Sequence, residues 1–274
     1  MGRARRGHRE PGGSALRTRL SRGSDKLAVV VDDGSDGVAA ATSDALRRLG
    51  IAVRDIPARE LALVRLDLDA HGAAVEGCRV GAVFFRARPR ASFAADFGER
   101  DRAFSSSEAR AAWLEVTNLP SVAAVNRLDP ETWFTFSEWP TWRRRTALAG
   151  VPAAKLVVGA ADGGSEAFWL PWGGGVAALP PPLVRRAFGA AVVSATQLNR
   201  ATWCYGNVVA GTDSHATRLA GGVLESFGVH LAEIVTAEDG SFVSCTAHPT
   251  VPEHATAQTA TRIAKALDAD LHRR

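Results

Sequence analysis

The sequence predicts an α/β protein that opens with a strand–helix–strand unit and continues into a smaller α+β part. Three neighbouring segments predict it. LAVVVDD (27–33) is an apolar run ending in acids, the pattern of a strand buried in a parallel sheet. DGVAAATSDALRRLG (36–50) repeats Val38, Ala41, Ala45, Leu46 and Leu49 at helical spacing, and Gly50 can cap the helix end. IAVRDIP (51–57) reads as a second strand stopped by Pro57. Short links between the three make a βαβ unit.

The remaining elements follow in order. Leu61 to Cys78 is a looser stretch with short edge strands. VGAVFFRARPR (80–90) is a strand that carries Arg86, Arg88 and Arg90 toward its C-terminal end, where ligands gather in open α/β sheets. SSSEARAAWLEVTNLPS (105–121) is a helix with Ser105 and Glu108 in capping-box spacing and Ala109, Trp113 and Val116 as its core stripe. VAAVNRL (122–128) is a strand ending in Asn126, and 137–152 a helix with Trp142 and Leu148 inward. A domain boundary is expected near Gly150 to Pro152, so the chain divides into an Arg-rich tail (1–25), a first unit (26–150) and a second (151–274).

In the second unit AKLVVG (154–159) is a strand, FWLPWGGG (168–175) leads into a glycine turn, and 179–197 is a Pro-broken loop, a short helix and a strand. ATWCYGNVVAGTD (201–213) is a hairpin turning near Gly206–Asn207. HATRLAGGVLESFG (215–228) is a helix with Leu219, Val223 and Phe227 on one stripe. HLAEIVTAEDGSFVSCTAH (230–248) is a second hairpin around Glu238-Asp239-Gly240, and 256–271 is a helix with Ile263 and Leu267 inward.

Composition narrows the class. With 274 residues, 46% hydrophobic and 23% charged, the chain is long enough for a sizeable core and globular in make-up. No apolar run approaches the ~18 residues of a membrane span, and the N-terminus lacks the apolar stretch of a secretory signal. Three cysteines without metal-like spacing point to a reducing, cytoplasmic setting. The net charge of +4 is local: seven arginines against Glu10 lie in the first 22 residues, and the rest carries 26 basic and 28 acidic groups. Nucleic-acid binding therefore rests on the tail alone, as non-specific polyanion contact. The histidines lack H-E-x-x-H spacing, no G-x-S-x-G elbow is present, and DDGSDG is not a G-x-G-x-x-G turn.

Taken together, LAVVVDD, VFFRARPR, SSSEARAAWLEV, AAVNR and LAGVPAAKLVVG resemble, in order across residues 27–160, the first half of ATP-grasp ligases. The nearest type is the ribosomal-peptide maturases (graspetide or microviridin type), with the RimK-like ligases related to them. The resemblance implies a pre-ATP-grasp βαβ domain followed by a shortened ATP-grasp-like α+β domain. On matching positions it implies catalytic roles for Arg86, Arg88 and Arg200 and nucleotide contacts by Lys155, Gly173, Gly174 and Gly175. It further implies substrate contacts by Arg90, Glu108 and Asn126, and a metal contact by Asp239. Each has a plain alternative: solvated arginines, a capping glutamate, a turn-forming asparagine or aspartate, a surface lysine, a hairpin glycine.

The second half departs from the family pattern. Leu170 stands where the phosphate lysine belongs, and AVVSATQLN has no acid for the nucleotide hinge. Ser244 and Thr246 stand where Glu and Asn would hold Mg²⁺, with Val235 close to the expected Asp. Two functions stay open. One is an ATP- and Mg²⁺-dependent carboxylate–amine or ester ligase acting on a small precursor peptide or other carboxylate substrate. The other is an inactive homologue, without cofactor, serving as the peptide- or protein-binding partner of a catalytic ligase. Related ligases are often dimers, which by analogy allows a homodimer here.

Overall fold

The computed structural model describes residues 26–273 except 70, 89–92, 96, 128–137, 155, 159–167, 173–174, 180–190 and 195–196. Its first sheet has six strands. β1 (Leu27–Asp32) pairs in parallel with β2 (Val53–Pro57) after helix α1 (Val38–Arg48), which is the βαβ unit expected from the sequence. The edge strands β3 (Leu66–Asp69) and β4 (Gly72–Val75) run antiparallel. β5 (Cys78–Arg86) then enters the middle, parallel to β1 on one side and to β6 (Ala123–Val125) on the other. Val29, Val30, Val31, Val83 and Phe84 are buried, which explains why these strands read as unbroken apolar runs.

Helix α2 spans Glu99–Asn118, starting six residues before the predicted capping box. Ser105 and Glu108 therefore sit inside the helix, where Glu108 is exposed. The cap position is Gly98, without a side-chain cap, and Trp113 and Val116 are buried as the stripe predicted.

Three further groups complete the molecule. Helix α3 (Glu138–Leu148) precedes a second, antiparallel sheet of β7 (Leu156–Val158), β8 (Phe168–Trp172), β9 (Gly175–Leu179) and β10 (Ala191–Ser194). The third sheet has the order β12-β11-β13-β14. Its strands are β11 (Leu198–Cys204), β12 (Asn207–Gly211), β13 (Leu231–Ala237) and β14 (Phe242–Thr246). The turn between β11 and β12 holds Tyr205 and Gly206 at positive φ (44° and 74°), the geometry of a tight hairpin. Helix α4 (His215–Ser226) lies on one face of this sheet, beside α3, which packs on β14. Gly221 is where α4 comes closest: a Cβ there would lie 2.4 Å from the Trp203 ring.

The last helix, α5 (Glu253–Arg273), returns to the first sheet and packs on α1, β5 and β6. Ile263, Ala264, Leu267 and Leu271 join one core with Val30, Leu46 and Phe84. Each fully buried aliphatic side chain here contributes about 1.5–3 kcal/mol. Gly81 of β5 makes the contact possible, since a Cβ would meet Leu271 at 2.5 Å.

Two helix faces differ from expectation. Trp142 is buried, but Leu148 is exposed. The buried stripe of α4 is Thr217, Ala220, Gly221 and Leu224, which turns Leu219 and Phe227 outward. Small residues face the sheet because Trp203 already fills the space between helix and strands.

Candidate functional site

Strand register sets one polar face of the third sheet. Arg200 lies opposite Val235, and Val235 opposite Ser244; Thr202 lies opposite Glu233, and Glu233 opposite Thr246. Directly paired residues share a face, so Arg200, Thr202, Glu233, Ser244 and Thr246 stand together. The other face carries Trp203, Ala232 and Ile234 into the core under α4. Arg200 Nη1 donates to Glu233 Oε1 at 2.8 Å. Burial raises the Glu233 pKa, and the Arg200 charge and hydrogen bond act in the opposite direction. Thr202, Ser244 and Thr246 are buried hydroxyls, and Thr246 Oγ1 accepts from the His248 N–H at 3.1 Å.

A second polar group joins the ends of the first sheet to the chain leaving β14. Arg86, 2% exposed, donates from Nη2 to Asp36 Oδ2 and to the Pro249 carbonyl. Asp36 Oδ2 also accepts from the Val251 N–H at 3.2 Å. Arg88 lies beyond the strand end, where its N–H and Nε donate to Asp33 Oδ2 at 2.8 and 3.1 Å. Burial alone would raise the Asp33 pKa, but the Ser35 and Arg88 hydrogen bonds win and hold it below the ordinary carboxylate range. Asn126 donates to the Leu231 and Ala247 carbonyls and accepts from the His230 and Leu231 N–H groups. Arg86 and Asn126 thus grip the backbone that flanks the polar face.

The other expected site residues lie apart. Glu108 is on the outer side of α2. Asp239 accepts from Ser241 N–H at 2.8 Å and Ser241 Oγ at 2.6 Å, contacts that lower its pKa and tie it into the hairpin turn. Gly175 opens β9 opposite Trp172. Arg90, Lys155, Gly173 and Gly174 fall outside the described residues. Sequence reading missed Glu233, Thr202, Asp33 and Asp36. The acid on β13 is Glu233, two residues before the Val235 position and directly opposite Thr246.

No protein-family model matches the chain, and no curated protein is similar to it in sequence. Solved structures do match. ATP-grasp ligase PsnB, complexed with a minimal precursor, Mg and ADP, superposes with a TM-score of 0.64 at 14% identity, covering 91% of this chain and 99% of that one. Macrocyclase MdnC from Microcystis aeruginosa MRC, bound with precursor peptide MdnA, gives 0.62 at 10% identity over 89% and 99%. The RiPP-associated ATP-grasp ligase of Chryseobacterium gregarium, in complex with ADP and a leader and core peptide, gives 0.61 at 8% identity over 91% and 97%. The chain has the ATP-grasp fold.

In this ATP-grasp fold the described residues do not suit Mg²⁺. Mg²⁺ is a hard cation held by carboxylates and phosphate oxygens. On the polar face Glu233 is the one carboxylate among the described residues, and Arg200 neutralises it. The serine and threonine hydroxyls beside it add no charge. Among the described residues no group of three or more His, Cys, Asp or Glu side chains is placed to hold a metal. The arrangement offers a cation, a shielded carboxylate and three hydroxyls, a set suited to hydrogen-bonding a polar chain. Among the described residues no helix is long and apolar enough to cross a membrane.

Proposed function

We propose that the protein acts in ribosomal-peptide modification as a peptide- or protein-binding partner of a maturation enzyme, using an ATP-grasp scaffold without ATP-grasp chemistry. The observation that carries this reading is the Arg200–Glu233 pair. It neutralises the carboxylate of the polar face, where Ser244 and Thr246 are its uncharged neighbours. A phosphoryl-transfer site works by neutralising phosphate charge with metal and cations, and one compensated carboxylate does not provide that. The solved neighbours that hold precursor peptides support the peptide as ligand class. In this reading 26–150 is a pre-ATP-grasp-like unit and 151–274 a reduced ATP-grasp-like unit, acting in the cytoplasm.

A second reading, an ATP-dependent carboxylate–amine or ester ligase, is favoured by the near-complete coverage of the ligases by this chain. Arg200, Arg86, Arg88 and Lys155 would then serve ATP and substrate. Thermal melting with and without ATP and excess Mg²⁺ separates the two. A ligand at about a hundred times its dissociation constant adds about 2.7 kcal/mol, a shift of several degrees. The binding reading expects no shift with nucleotide. A Mg²⁺-dependent shift that Arg200→Gln removes would establish nucleotide binding and overturn it.

A further inference from the structure

The helices covering the third sheet expose apolar side chains along their shared edge. Leu148 of α3 is 79% exposed, Phe227 at the end of α4 47%, and Leu219 40%. The Trp142 and Phe227 rings meet edge to face at 5.8 Å. Arg145 lies over both, 4.8 Å from Trp142 and 4.2 Å from Phe227. These contacts fix which flanks of the two helices face each other. A helix turns about 100° per residue, so Leu148 shares the flank of Arg145, and Leu219 and Val223 share the flank of Phe227. Leu219, Val223 and Phe227 thus make an apolar edge at i, i+4 and i+8, about 12 Å long.

We propose that this apolar edge docks an acidic amphipathic helix of a partner protein. The spacing suits a helix, whose own i, i+3 and i+4 side chains fit such a stripe. Charge selects the acidic kind. Arg144 is exposed beside Leu148 and has no ion-pair partner among the described residues. Arg145 lies over the Phe227 ring at this edge. Glu225 of α4 is turned away, accepting from Trp203 Nε1 and the Gly206 N–H. A second copy of the chain would present the same arginines and, among the described residues, no acid at this edge. Exposed apolar patches rimmed by polar groups mark interaction sites. The inference rests on the binding reading only for the partner's role: a nucleotide shift would remove that reading and leave docking here unchanged.

The test is fluorescence anisotropy with a synthetic amphipathic peptide of about eighteen residues, about 27 Å when helical, with Leu on one face and Glu on the other. A matched peptide has Lys for Glu. The Glu peptide is expected to bind the full chain, more weakly as salt rises, and the Lys peptide not to bind. Leu148→Ser and Arg144→Glu, both at exposed positions, should each weaken binding about tenfold, ~1.4 kcal/mol, without changing the melting temperature. Absence of binding by the Glu peptide, equal binding of the Lys peptide, or unchanged affinity in both variants overturns the proposal. So does a dimer in sedimentation, or binding to phosphatidylserine vesicles, that Leu148→Ser abolishes. Those outcomes assign the face to a second copy or to a lipid surface.

Discussion

Asn126 uses the full hydrogen-bonding capacity of its amide, two donations and two acceptances, all to backbone groups more than a hundred residues away. Its place at a strand end was legible in the sequence; its partners were not, since nothing in VAAVNR encodes which distant strand arrives there. Replacing it with alanine leaves buried carbonyl and N–H groups without partners, each costing about 1–3 kcal/mol. Asn126→Ala should therefore lower unfolding stability by about 4 kcal/mol in urea titration. An unchanged midpoint would show that these four contacts add little to stability.

Helix α4 shows where amphipathic periodicity misleads. Leu219, Val223 and Phe227 recur at helical spacing, yet the sheet side is Ala220, Gly221 and Leu224, because Trp203 projects from β11 and only small residues clear it. Adjacent glycines give opposite expectations. Gly221→Ala places a methyl 2.4 Å from the Trp203 ring and should lower stability by about 1–3 kcal/mol. Gly222→Ala meets nothing within 4 Å and should raise it by about 0.5–1 kcal/mol, the helix preference for alanine. Thermal melting of both variants checks the signs. The β13–β14 hairpin was equally legible as an element, from its Asp239–Gly240 turn. Its register was not, because the turn does not say which β13 residue faces Thr246, and that residue is the acid Glu233.

Across the whole molecule the strand–helix order was readable, but how its parts lock together was not. His248 sits at that junction, with Nε2 buried close to Arg86 and Arg88. Burial first, and then the two arginine charges, push its pKa down to about 3, against an ordinary value of about 6.5. The unfolded chain therefore takes up a proton that the folded chain refuses. Stability present above about pH 6.5 is lost as pH falls toward 3, with a slope of up to ~1.4 kcal/mol per unit. His248→Gln should flatten the urea midpoint between about pH 6 and pH 4; an unchanged slope would place the acid sensitivity elsewhere. The sequence marked Ile263 and Leu267 as an apolar stripe, but a stripe does not say which sheet it covers. α5 returns to the first one. On the ribosome β1 emerges more than two hundred residues ahead of that helix, so Val30 and Phe84 have only α1 beside them in this core through most of synthesis. The first sheet to be made is among the last to be sealed, and nascent chains stalled before Glu253 become natural clients for chaperones.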